Sequence, residues 1–561
     1  MVRVVSYRDI VGTSIYLPYP SRLVHFHPAT LYNPTIMVAT LAYPAVQQFY
    51  NGTNQAHTSG TAFHTFDPST ARPLAVVHTA SYADIDSAIS SASTVFPSWS
   101  TSAPTTRARI LHKAAALLRQ RNDCLAEIET RDTGKPYSET STVDVATAAD
   151  VLEYFANLIG GGGLNGETVR LREDAWVDTK KKALGVCAII GAWNCPLQIA
   201  LWQSAPCLAA GNTIVYKPSE FAPLHAQRLA ELYVEAGLPP GVFNVVYGTG
   251  TAVEEYLAAH SEIAKSSFAG QVSTGYKAAT AVAADVKYVP MELGGKSTMI
   301  MLPDAELESA VDGAIMASFF NSGQDCTNGT RVFVPETILD TFEKRVVENM
   351  KYVRMGDPMN PSTNAGPLSS EVHLRKVRAA INEGTYEDHC RLLSGDGPSS
   401  IRGQDTNPDL LKGYWCNPRI FTSCRDDMKV VQKNVFGPIM CILPYGTTDP
   451  AWLETLIVRA NATPPGIAAG VFTKDTKLAH KVVAKLQAQI TWVNTWGRSP
   501  AQMSIGGWKM SGVRVERELE AWLKNKSTLV DIGGKVGSAF KEIDDWNVGS
   551  AVAKSNEEMD L

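Results

Sequence analysis

One cysteine, Cys326, stands in the polar stretch NSGQDCTNGT, with no second cysteine or histidine beside it. A thiol set apart in this way suits nucleophilic attack once the thiolate is favoured. Upstream, in MELGGKS, Glu292 has apolar and glycine neighbours. An apolar pocket raises a carboxyl pKa, and such a group serves as a general base near neutrality. Together the two side chains could form a thioester and hydrolyse it. WNCP adds Trp193 and, at the end of a predicted strand, Asn194. The Asn194 amide and the Cys326 backbone N–H could donate to an oxyanion. Two plainer readings stand beside these: an asparagine near a proline is a turn former, and most cysteines are small core residues.

Two further stretches sit where strands end. KPSE, from Lys217 to Glu220, follows directly on TIVYK. A lysine and a carboxylate there could hold the hydroxyls of a sugar, although Ser219 and Glu220 also suit a helix start, as cap and dipole partner. FAGQVSTG follows AKSSF, and Gly270 and Gly275 bracket a turn into a helix. Phosphate meets unpaired N–H groups at such turns, but loop glycines are also ordinary turn residues.

The elements that must position these residues alternate. Residues 105–130 have helix periodicity, with Ile110, Ala114, Leu117 and Leu118 on one face. From 184 onward GVCAII reads as a strand, PLQIALWQSAPCLAAGN as a helix ending at Gly211, and TIVYK as a strand. FAPLHAQRLAELYVEAGLPPG reads as a helix stopped by Gly237 and Pro239, with FNVVY, AKSSF and KYVPM as further strands. Repeated strand–helix–strand units imply an α/β fold with parallel sheets covered on both faces and ligand sites at the strands' carboxyl ends. A second alternating region spans about 296–500. Residues 164–185 are polar, charged and strand-like, which suits a hairpin projecting toward a partner subunit.

The 561 residues allow several domains. The net charge of −5 gives no electrostatic case for nucleic acid, and no apolar run approaches a membrane span. Nine scattered cysteines without a CxxC pair or a Cys/His cluster argue against a metal site and for a reducing compartment. Residues 1–44 read as a disordered leader, or as a weak mitochondrial transit signal in an otherwise cytoplasmic protein. The polar stretch 535–561 reads as a mobile tail.

In order and spacing, DTGKP, WNCPL, APCLAAGNTIVYKPSE, EAGLPPGVFNVV, MELGGKS, NSGQDCTNGTRVFV, VFGP and GGWKMSG resemble the aldehyde dehydrogenase superfamily over about 45–534. The resemblance implies Cys326 as nucleophile, Glu292 as base for water and Asn194 as oxyanion donor. It implies NAD as cofactor in a Rossmann-like domain made of 45–163 and 186–293. Lys217 and Glu220 are expected at the adenine-side ribose, with Trp193, Gly270, Gly275, Leu293, Asn434 and Phe436 also at the cofactor. It further implies a catalytic domain at 294–511, and oligomerisation segments at 164–185 and 512–534 that build a homodimer or homotetramer. NTWGRSPAQMSIGGWKMSGV, with SFAGQVSTG and CTNGTRVFV, is similar to betaine-aldehyde and trimethylaminobutyraldehyde dehydrogenases. Betaine aldehyde or another amino-aldehyde is therefore the expected substrate, with Trp202, Phe320 and Trp496 offering aromatic faces to its cation.

Several positions depart from the family pattern. Asn434 replaces a glutamate and Gln271 a serine, Ala269 stands for a threonine, and the closing motif carries Arg514 and Val515. Cys195 stands where betaine-aldehyde enzymes often keep an aromatic, and Arg498 brings positive charge near the expected cation site. A broad or pathway-specific enzyme for non-cationic aldehydes, and a cofactor-binding relative without turnover, are the alternatives. An acylating relative is disfavoured by the presence of Glu292.

Overall fold

The computed structural model describes residues 41–56, 61–270, 275–276, 280, 291–395, 401, 407–512 and 517–533. The expected leader therefore falls almost entirely outside the described residues, and the tail does so completely. Gln271, Arg514 and Val515 lie outside them too.

Two seven-stranded sheets carry the described chain. The first runs, edge to edge, Met291–Leu293, Ile263–Gly270, Val186–Ile190, Thr213–Lys217, Phe243–Val245, Phe49–Tyr50 and Thr53–Asn54. Its first five strands are parallel and the last two pair antiparallel. The second runs Arg391–Ser394, Arg419–Thr422, Ile439–Tyr445, Arg331–Pro335, Thr298–Met301, Ala468–Phe472 and Ile490–Val493, parallel except at its first edge.

The strands show why they read as continuous apolar runs. In Val186–Ile190, Cys187 and Ile189 enter one core, and Val186 and Ala188 enter another on the opposite face. In the second sheet Ile300, Phe333 and Leu443 point one way, and Met299, Met301 and Val332 the other. Alternate residues of each strand thus bury in separate layers. Each such aliphatic side chain contributes about 1.5–3 kcal/mol on burial.

Helix limits follow local chemistry. Pro196 opens Pro196–Ala209, where its missing N–H costs nothing. Leu224–Ala236 ends at Gly237, whose φ of 100° suits a residue without Cβ. The helix periodicity of 105–130 is carried by two helices, Pro104–Gln120 and Asn122–Thr133, broken at Arg121. The run Gln120–Arg121–Asn122 has no apolar side chain to hold a continuous helix on the core. The second helix then ends at Gly134 of DTGKP, where φ is 78° and a Cβ would meet the Pro367 ring at 2.6 Å.

The hairpin expected at 164–185 is present as Glu167–Arg172 paired with Ala175–Ala183. A third strand, Leu523–Asp531, pairs with Ala175–Ala183 along all nine residues, bringing Lys526 opposite Lys180. Just before it, Trp522 is fully buried, with the Lys265 ammonium 3.5 Å from its ring centre. Cation–π contact thereby fixes the segment to the first sheet.

Candidate active site

Cys326 is half-buried in a loop whose backbone is unusual. Asn321, Ser322 and Gly323 have φ values of 50°, 53° and 73° in succession. Left-handed backbone at two residues with Cβ atoms is costly and persists only where the surroundings impose it. Here Glu139 receives the Asn321 N–H on its carboxylate at 3.2 Å, and Ser322 Oγ donates to the Gly366 carbonyl at 2.7 Å. A Cβ at Gly323 would sit 2.1 Å from the Gly437 carbonyl oxygen, so the loop lies directly on the VFGP turn. Beyond it, Asp325 accepts from the Thr327 N–H at 2.7 Å and shapes the turn that presents Cys326.

Asn194 reaches the same loop. Its Nδ2 donates to the Gln324 carbonyl at 3.1 Å, two residues before the thiol. Asn321 Nδ2 donates to that same carbonyl at 3.0 Å and to the Asn194 carbonyl at 2.9 Å. The strand carrying Glu292 arrives from the other side: Gly295 N–H donates to the Cys326 carbonyl at 3.3 Å. The Glu292 backbone pairs with Ala269 in the first sheet. Its side chain lies outside what is described. Leu293 is buried and its N–H donates to the Ser511 carbonyl at 2.8 Å, which ties this strand to the closing GGWKMSG motif.

Trp193 lies edge-on to Phe436, ring centres 5.4 Å apart, and 5.0 Å from His373. Phe436 has φ 57°, and its turn is held at both ends. Its N–H donates to Asn434 Oδ1 at 3.1 Å, and its carbonyl accepts from His373 Nε2 at 2.7 Å. Burial pushes the His373 pKa down to about 4, so the ring is neutral with the proton on Nε2.

Lys217 ends its strand fully buried. Its Nζ lies 3.3 Å from Glu220 and 2.7 Å from Glu254, a residue the sequence did not single out. An ammonium beside carboxylates at a parallel strand's carboxyl end is the donor and acceptor set that a vicinal diol needs. Gly270 closes the strand Ile263–Gly270, which Val186–Ile190 separates from the Lys217 strand, and Gly275 is buried, but the turn between them, 271–274, lies outside the described residues.

The expected cation-binding aromatics have other partners. The Arg517 guanidinium lies 5.2 Å from the Trp202 ring and is itself held by the Pro500 and Met503 carbonyls, the former at 2.7 Å. Lys135 Nζ lies 5.0 Å from the Phe320 ring. Trp496 is buried against Trp492, 4.9 Å between centres, and against Gly329 and Gly470. Trp202 and Cys326 both pack on the cluster containing Trp496. Trp202 Nε1 is buried and has no hydrogen-bond partner among the described residues.

Beneath the loop is a buried charge cluster that sequence reasoning missed. Lys135 pairs with Asp144 at 2.7 Å and lies 3.5 Å from Cys195 Sγ. Burial opposes its charge, but Asp144, Cys195 and Glu139 outweigh burial and hold its pKa well above the usual lysine value. Burial raises Glu139 to about 8, with Lys135 pulling the other way. Burial also pushes Glu129, beside Asp144, well up. The lysine of DTGKP was the one available signal.

The Aldehyde dehydrogenase family model matches residues 55–528. A solved structure described as a putative aldehyde dehydrogenase from Burkholderia cenocepacia is 32% identical, with a TM-score of 0.83 over 89% of this chain and 99% of that one. A mutant indole-3-acetaldehyde dehydrogenase of P. syringae, solved with NAD+ and IAA, is 33% identical, with a TM-score of 0.82 over 87% and 96%. An NAD+ complex of aldehyde dehydrogenase from Bacillus cereus is 33% identical, with a TM-score of 0.82 over 90% and 99%. The chain belongs to the aldehyde dehydrogenase family, and its mixed α/β fold with parallel sheets is that family's fold.

Proposed function

We propose that this chain oxidises an uncharged aldehyde to a carboxylate, through a thioester on Cys326, with NAD as its cofactor. The observation that carries this reading is the convergence on one loop. Asn194 and Cys326 are joined through the Gln324 carbonyl, and the Glu292 strand through the bond from Gly295 to Cys326.

The Cys326 thiolate bonds to the aldehyde carbon, and the carbonyl oxygen gains the negative charge. The second N–H of the Asn194 amide and the Cys326 N–H donate to that oxyanion. Lys217 and Glu220 would hold the adenine-side ribose, and Trp193, Leu293, Phe436 and Asn434 the nicotinamide side. Bound NAD supplies the hydride acceptor. Cys326 is then left carrying an acyl group. Glu292 takes a proton from water, the water oxygen attacks the acyl carbon, and the carboxylic acid leaves as the thiol is regained.

For the substrate, the motif pattern favours betaine aldehyde, whereas the side-chain environment favours an uncharged aldehyde. Arg517 already lies by the Trp202 ring and Lys135 by the Phe320 ring, and both repel a quaternary ammonium. The unpaired Trp202 N–H adds a donor, which a cation cannot use. The P. syringae relative's aromatic aldehyde is of the uncharged class. The test is NADH formation on betaine aldehyde, indole-3-acetaldehyde and a plain aliphatic aldehyde, with Cys326→Ser as control. Turnover on the last two, lost in the variant, is expected. Fastest turnover on betaine aldehyde would reverse the substrate reading, and NADH from Cys326→Ser would sink the mechanism.

The first sheet's segments, 45–163 and 186–293, are assigned to cofactor binding, and 294–511 to catalysis. Segments 164–185 and 512–534 are assigned to contact between subunits of a homodimer or homotetramer. The exposure of Val169, Leu171 and Leu529 on this three-stranded arm supports that assignment.

A further inference from the structure

Lys217 carries a second carboxylate partner, closer than Glu220. We propose that Glu254 is a cofactor-discriminating residue: its carboxylate makes the site around Lys217 reject a 2′-phosphorylated dinucleotide and accept NAD. The inference rests on the dinucleotide site proposed above.

The electrostatic argument starts from the lysine. A buried ammonium alone would attract a phosphate strongly. Glu220, 3.3 Å from Lys217 Nζ, cancels that charge. Glu254, 2.7 Å from it, takes the trio to a net charge of −1. A phosphate monoester brings about −1.5 to −2 at neutral pH. Brought onto the ribose that Lys217 and the carboxylates hold, it meets net repulsion at contact range, inside the ~8–10 Å over which salt screens. A ribose with both hydroxyls unmodified carries no charge and meets none.

The geometry reinforces the charge count. Glu220 lies on the turn after the Thr213–Lys217 strand, whereas Glu254 lies on the helix Thr251–Ala259. The lysine is therefore gripped from two separate elements and cannot swing to follow a phosphate without leaving one of them. Glu254 is in the first turn of its helix, whose N-terminal end attracts negative charge. It is also 37 positions from Lys217, so no local pattern in KPSE announces it.

The test is calorimetric titration of the full chain with NAD and with NADP, for the wild type and for Glu254→Gln, Glu254→Asp and Glu254→Ala. The wild type is expected to bind NAD well and NADP at least ~30-fold more weakly. Glu254→Gln should shift the NADP-to-NAD affinity ratio by ~10-fold toward NADP. Glu254→Asp, which keeps the charge, should keep the discrimination. Thermal denaturation without nucleotide checks that each variant is folded, and Glu254→Ala gives the same reading if Glu254→Gln is not. An unchanged NADP-to-NAD ratio in a folded, neutral variant overturns the inference while leaving the dinucleotide site standing. A wild type that binds neither nucleotide overturns both.

Discussion

The side-chain amides of Asn194 and Asn321 share one acceptor, the carbonyl oxygen of Gln324, at 3.1 and 3.0 Å. Asn194 can therefore turn an N–H toward a developing charge without stranding that carbonyl, because Asn321 keeps it paired. The buried Asn321 is itself fixed by Glu139 and by the Asn194 carbonyl.

Asn321→Ala removes that second donor. The expected outcome is a fall in kcat of ~10-fold or more with a small change in KM, since positioning of the oxyanion donor is lost rather than substrate contact. Leaving buried carbonyls short of a donor should also cost about 1–3 kcal/mol of stability. Steady-state kinetics with a denaturant titration decides it: equal loss in KM and none in kcat would contradict the positioning role.

Glu139 gives a pH prediction. Its folded pKa of about 8 exceeds the ordinary carboxyl value. The folded state thus holds a proton that the unfolded state releases. The contribution is fully present below about pH 4.5 and is lost as pH rises toward 8. Glu139→Gln cannot ionise, so the wild type should lose stability relative to this variant between pH 5 and 8. Urea midpoints across that range provide the measurement, and parallel profiles would count against it.

His373 holds the Phe436 turn through a neutral imidazole. His373→Phe keeps the bulk beside Trp193 but leaves the Phe436 carbonyl unpaired. NAD affinity should weaken by ~10-fold while the far-ultraviolet circular dichroism spectrum stays as in the wild type. An unaltered NAD titration would show that the turn holds without it.

Gly323→Ala tests the close approach of loop and turn. A Cβ there would meet the Gly437 carbonyl oxygen at 2.1 Å, and φ is 73°. The backbone conformation alone costs about 1–2 kcal/mol, and the collision adds more. Loss of most activity with a lowered Tm is expected; full activity would mean that the loop moves freely off the turn.

How much of this was readable beforehand depends on separation along the chain. The strands VCAII and TIVYK were legible because both faces are buried and their central residues are apolar or aromatic. Cys326, Glu292 and Asn194 stood out because each sits in a local run whose composition is unusual, whereas Lys217 stood out only through the resemblance. The break at Arg121 was not, since three polar residues in a helical pattern look like a solvated face. Glu139 gains its meaning from Asn321, 182 positions away, and Glu254 from Lys217. Those partners meet only through the fold, and no periodicity records them.

The strand Leu523–Asp531 completes a sheet whose other two strands were synthesised long before. Lys181 and Glu520, which pair across that junction, are 339 positions apart. At ordinary translation speeds the hairpin waits roughly 20–70 s on the ribosome with one rim unfilled. An open rim is a template for pairing with any neighbouring nascent chain. The three consecutive lysines on that rim, Lys180 to Lys182, make two waiting copies repel each other.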